Sequence, residues 1–129
     1  RDSLIACITL PSSRVFVPND TILSDEGNIF LKELSKIFSG KDDFRVVISV
    51  FTANSGSSAH IARFSQQRAD AAAVELQRVL GDKSVVIPFG MGDTEPIAKN
   101  NTYQGREENR RIEVWLIPSV SLIEKLTGK

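Results

Sequence analysis

The chain has 129 residues, 41% of them hydrophobic and 25% charged, with 16 basic and 16 acidic side chains that cancel. That length holds one domain around one core. The balanced charge argues against a nucleic-acid partner, which leaves a basic footprint. No apolar run approaches the roughly 20 residues that span a bilayer, so membrane attachment is expected only through an anchor outside this chain.

The chain opens at Arg1 without a Met, which reads as a mature or truncated piece. Its one cysteine, Cys7, excludes an internal disulfide and leaves the redox compartment open. Leu4-Ile5-Ala6-Cys7 has the form of a lipoprotein cleavage site. However, no apolar leader precedes it, and the apolar run continues past Cys7 to Leu10. Cys7 is therefore expected as a buried core residue.

Residues 3–10 read as a strand closed by Pro11-Ser12-Ser13, and Arg14 to Val17 as a brief extended piece. Ser24 is a natural N-cap, with Asp25 and Glu26 in the first turn, where the helix dipole favours negative charge. That helix is expected to reach about Ser39 on a stripe of Phe30, Leu31, Leu34, Ile37 and Phe38, with Gly40 just past its end. Phe44 to Thr52 is almost continuously apolar and β-branched, which suggests a central strand covered on at least one face.

A second helix is expected from about Ser57 to Leu80, with Ile61, Phe64, Ala69, Ala72, Leu76, Val79 and Leu80 in helical period. Its small residues Ala71 to Ala73 allow close approach to a sheet. Ser84 to Phe89 reads as another strand. Residues 93–108 are nearly all polar, without apolar periodicity, and are expected as a long loop without a helix. Beyond them Arg111, Glu113 and Trp115 alternate with Ile112, Val114 and Leu116, as in a half-buried strand. Arg110 and Arg111 then point to opposite faces. Residues 119–129 carry an amphipathic pattern that fits either a docking helix or a fraying tail.

The order β-α-β-α-β-β predicts an α+β fold: a mixed sheet with two helices on one face, in one domain over residues 1–129. Its core would span about 14–118, followed by the 119–129 tail.

Several ordered residues carry a resemblance. Gly90-x-Gly92, Pro96, Asn101-Thr102, Gly105-Arg106 and Asn109-Arg110-Arg111-Ile112 resemble the C-terminal signature of OmpA-like domains, the peptidoglycan-associating modules of Gram-negative envelope proteins. Phe16-x-x-x-Asp20-x-x-Leu23 resembles the leading segment of that family. Phe64-Ser65-Gln66-Gln67-Arg68-Ala69 is similar to its Leu-Ser-x-x-Arg-Ala motif. The resemblance spans roughly Phe16 to Ile117.

It implies a ligand site for the diaminopimelate-bearing stem of peptidoglycan, made by a Thr-Asp-x-x-Gly turn and the helix arginine. Here the turn reads Thr52-Ala53-Asn54-Ser55-Gly56, so Ala53 stands where the family has aspartate; Arg68 matches in motif and spacing. By resemblance the stem-binding residues are Thr52, Ala53, Asn54, Gly56, Arg68, Asn109, Arg110 and Arg111. A guanidinium pairs with a carboxylate in fork geometry, whereas Ala53 offers nothing to an ammonium, so weakened binding is expected. From the residues alone, Arg68 fits equally a helix-surface salt bridge. One of Arg110 and Arg111 would hold the long loop while the other is solvated or lines the groove.

No enzyme is expected. His60, the only histidine, begins a helix and reads as a surface residue, and no acid–base constellation, metal-spaced cluster or phosphate loop appears. No cofactor is implied. The expected partners are peptidoglycan and the protein subunits of an envelope complex, in the periplasm beside the outer membrane. The alternative is a purely structural protein–protein module.

Overall fold

The structure, a computed structural model, describes residues 6–40, 44–82 and 84–128. The elements run β1 (Ala6–Pro11), α1 (Asp25–Phe38), β2 (Phe44–Phe51), α2 (Ser58–Leu80), β3 (Val85–Gly92), α3 (Tyr103–Asn109), β4 (Arg111–Pro118) and α4 (Val120–Thr127), with a 3-10 turn at Ser12–Arg14. Four strands form one sheet in the order β1-β4-β2-β3. β2 and β3 run parallel, while β4 is antiparallel to both β1 and β2. Ser3, Leu4 and Ile5 of the predicted first strand lie outside the described residues.

Both long helices start where their caps place them. The Ser24 and Ser57 hydroxyls accept from Gly27 N and His60 N. Leu31, Leu34 and Phe38 of α1 and Ala69, Ala72, Ala73 and Leu76 of α2 share one core with Val46, Ile48 and Val50 of β2 and Ile112 and Val114 of β4. The two helices therefore cover one face of a mixed sheet, as the periodicity predicts. Ile37 departs from the expected stripe: it is 56% exposed, on the flank of α1 away from the core.

Cys7 is exposed, not buried. β1 is an edge strand, and alternation turns Ile8 and Leu10 toward the core while Cys7 and Thr9 take the opposite face. The predicted extended piece at 14–17 reduces to a 3-10 turn and a single bridge between Phe16 and Leu23. The loop expected at 93–108 contains α3. Thr102 caps that helix by accepting from Gly105 N, and Gly105 lies so close to Lys99 that an added Cβ would fall 1.8 Å from the Lys99 carbonyl oxygen. Capping and this close backbone contact hold α3 to the surface, so it needs no apolar stripe. The tail is helical, with Ser119 as its N-cap.

Two devices fix the ends of the sheet that matter below. The first is a seam between α2 and β3. The β2–β3 register slips at Val50/Phe51, pairing Val50 with Gly90 and Phe51 with Gly92. Gly90 N and Gly92 N turn to α2 instead, donating to Gln66 Oε1 (2.8 Å) and Ser65 Oγ (3.0 Å). A Cβ on Gly90 would meet the Gln66 backbone nitrogen at 2.3 Å.

The second device is Asn109, fully buried at the end of α3. Its Oδ1 accepts from Ile97 N and Ala98 N, and its Nδ2 donates to Ala98 O and Asn100 Oδ1. One side chain thus holds the loop from Ile97 to Asn100 against β4.

Gly90→Ala should destabilise the fold by about 1–3 kcal/mol, because the seam must open; Val74→Ala, at a 70% exposed position of the same helix, should stay within about 0.5 kcal/mol. Urea titrations of the two variants against the parent measure the difference. Asn109→Ala should cost about 1–3 kcal/mol through the stranded amides of Ile97 and Ala98. Amide hydrogen exchange over 95–101 should rise more than exchange in α1.

Candidate functional site

The segment after the 3-10 turn folds back on itself. Val17 N donates to Ile22 O, and Asp20 N to Val17 O. Asn19 takes a left-handed conformation (φ 59°), which an asparagine tolerates better than most residues. The turn points two carbonyls at α2, where Arg68 meets them. Arg68 Nε donates to Asp20 O at 2.7 Å, and its Nη2 reaches Val17 O at 3.4 Å. The guanidinium lies between two rings, 4.7 Å from the centroid of Phe16 and 4.5 Å from that of Phe64.

Arg68 is only 6% exposed, yet it forms no ion pair among the described residues. Its neighbours are neutral carbonyls and π faces. Desolvation lowers its pKa to about 10, helped by the nearby Arg110 charge and opposed by Asp20. It stays protonated at neutral pH. The helix-surface salt bridge is therefore not the arrangement found.

Arg68 forms part of the wall of a cavity of about 550 Å³. Thr52 and Ala53, at the end of β2, share that wall, as do Ser12 from the 3-10 turn, His60 and Phe64 from α2, and Tyr103, Glu107 and Arg110 from α3 and its C-cap. Ala53 is 1% exposed. Two buried hydroxyls of these wall residues, Ser12 Oγ and Thr52 Oγ1, have no hydrogen-bond partner among the described residues.

Of the residues expected to form the site, Thr52, Ala53, Arg68 and Arg110 come together around this cavity. Asn54 and Gly56 are exposed and lie off the wall; Gly56, at φ 103°, makes the turn into α2. Asn109 is spent on the loop, as described above. Arg111 is 4% exposed and faces away from the cavity; its guanidinium stacks 3.8 Å from the Phe51 ring centroid, donates to Glu113 Oε2 at 2.9 Å and caps Glu95 O at 3.0 Å. Phe51 in turn lines the cavity, so Arg111 supports the floor from behind. Of the two arginines, Arg110 lines the groove, ion-paired with Glu107.

Sequence reasoning did not single out Tyr103 or Glu107. With Arg110 they fall at i, i+4 and i+7, one face of a helix. That spacing was the available signal, but the residues are polar and the helix short. Ser12 carried no signal. Chemically, the cavity can accept an anion. A desolvated guanidinium with N–H groups to spare pairs with a carboxylate in a geometry its rings and carbonyls already hold.

The chain is 30% identical over 111 residues to the Escherichia coli K12 protein named probable lipoprotein YiaD, covering 86% of this chain and 51% of that protein. It is 40% identical over 74 residues to the peptidoglycan-binding protein ArfA of Mycobacterium tuberculosis H37Rv, covering 56% of this chain and 22% of that one. The chain thus spans about half the length of the first relative and less of the second. Among solved structures, the cell wall anchor of the T6SS from Pseudomonas aeruginosa superposes with a TM-score of 0.75 at 24% identity, covering 89% of this chain and 82% of the other. The Burkholderia pseudomallei peptidoglycan-associated lipoprotein gives 0.69 at 19%, covering 79% and 86%. At those identities the likeness speaks to fold.

The sequence pattern of the OmpA family matches residues 15–110, from the turn that holds Arg68 to the arginine at the groove rim, and the chain belongs to that family.

Proposed function

We propose that this chain is a non-catalytic periplasmic module that holds an outer-membrane-associated envelope complex of a Gram-negative bacterium at the peptidoglycan layer. On this reading the whole chain acts as one OmpA-like unit, core 14–118 with tail 119–129. The observation that carries the proposal is Arg68: a buried guanidinium with no carboxylate partner among the described residues, lining an open cavity. Such a charge is costly to keep unless something anionic pairs with it. The stem peptide of peptidoglycan ends in carboxylates. Two of the similar proteins named above, a peptidoglycan-binding protein and a peptidoglycan-associated lipoprotein, support that ligand class.

Ala53 weakens the site. With no carboxylate at the end of β2, an ammonium there loses a charged hydrogen bond, about 1.5–3 kcal/mol or roughly 10- to 150-fold in affinity. A second reading is a protein-docking module without peptidoglycan binding, within an outer-membrane secretion assembly. Ala53 favours it, as do Val85 and Phe89, 47% and 48% exposed on β3. On that reading the chain would be an accessory lipoprotein of the type of DotK in the Dot/Icm type IVB system.

Titration with soluble diaminopimelate-containing stem peptide separates the two. The parent should bind weakly, Arg68→Ala should lose about 10-fold or more, and Ala53→Asp should gain about 10-fold or more. Circular dichroism melts check that each variant is folded. A folded Arg68→Ala that binds like the parent removes the groove from the explanation. No binding by any of the three favours the docking module.

A further inference from the structure

Among the residues that line the cavity, one carries a carboxylate: Glu107. The position expected to supply an acid, Ala53, has none. Across the same space stand two guanidinium groups, Arg68 and Arg110. The wall therefore offers paired positive charge and a single negative charge, a pattern complementary to a ligand group bearing both a carboxylate and an ammonium.

Glu107 is free to act. Its side chain is 37% exposed, and the ion pair with Arg110 uses only Oε1. Oε2 makes no hydrogen bond among the described residues. A carboxylate oxygen only accepts, so its natural partner in the cavity is a donor such as an ammonium. The helix sets the direction. Tyr103, Glu107 and Arg110 share one face of α3 and its C-cap, and all three line the cavity. α3 itself is fixed by the Thr102 cap and by the close contact of Gly105 with Lys99 O, so Glu107 is not on a free loop.

We infer that Glu107 is the ammonium-binding residue of this groove: it takes over from α3 the role that Ala53 vacates, and makes the site selective for a free α-amino-acid end, with carboxylate on Arg68 and ammonium on Glu107. This rests on the stem-peptide reading above. It predicts that binding depends on the ligand's amine as well as its carboxylate.

The test is calorimetric titration of two soluble stem peptides that differ in one group: the side-chain ammonium of diaminopimelate free, or acetylated. The parent should prefer the free amine by about 10-fold or more. Glu107→Gln should lose that preference while keeping its affinity for the acetylated peptide, and Ala53→Asp/Glu107→Gln should regain it. Equal loss for both peptides in Glu107→Gln would mean that Glu107 serves only to position Arg110, which overturns the assignment. So would a preference for the free amine that survives in Glu107→Gln. If neither the parent nor Ala53→Asp binds either peptide, the stem-peptide reading fails and this inference falls with it.

Discussion

Arg68 brings a positive charge to a place where the chain has removed most of its water. The cost of that desolvation is visible in its depressed pKa. What offsets it comes from two parts of the sequence at once: Phe16 and the Val17 and Asp20 carbonyls from the segment before α1, and Phe64 one turn earlier on α2. None of these is a carboxylate. A salt bridge would have neutralised the guanidinium and ended its chemistry. Rings and carbonyls hold it in place and leave its charge available. The turn at Asn19 and the helix α2 thus share one requirement, and neither can shift without exposing the charge or misaiming it.

The seam between α2 and β3 serves the same end. β3 is an edge strand, and across the register slip at Met91 its Gly90 and Gly92 amides point away from β2, so both lock to α2 one turn before Arg68. Thr52 N is held by Gly92 O at 2.7 Å, so the same slip places the end of β2 beside the groove. On the opposite rim Asn109 and Arg111 do the corresponding work for the loop and for Phe51. Asn109 and Arg111, both in the family-like run, thus shape the cavity from outside it. This separates them from Arg110, which faces in.

How far the sequence reveals this depends on the kind of signal. α1 and α2 are long, capped and periodic, so their extents and the helix-on-one-face fold follow from spacing. The alternation expected of a strand through Arg110 and Arg111 predicts that they part ways, but not which one lines the groove, since Arg110 caps α3 and β4 starts only at Arg111. Cys7 fails for a related reason. A run such as Ala6 to Leu10 has apolar residues on both faces, and only the register with β4, which sets Ile8 beside the buried Val114 and Cys7 beside Trp115, decides that Cys7 sits on the uncovered side. α3 is hidden more deeply. Its stability comes from the Thr102 cap and the contact between Gly105 and the Lys99 carbonyl, and that contact exists only once the loop has folded. The groove's carboxylate is hidden along with it, because Glu107 gains meaning only when α3 places it on the cavity wall beside Arg110.

On the proposed reading, moving the acid from the end of β2 to α3 changes how the site rests when empty. An aspartate at position 53 would stand on the cavity wall free of Arg110. Glu107 instead shares its charge with Arg110, and Arg68 keeps its own. A ligand carboxylate arriving at Arg68 then displaces no internal partner, while an ammonium arriving at Glu107 shares a carboxylate that Arg110 already holds. Two groups on one carboxylate each gain less than one group alone. The site so built would take its ligand's carboxylate on an unpaired guanidinium and its ammonium on a shared carboxylate, so that the carboxylate contributes the larger part of a modest affinity and the amine the selectivity.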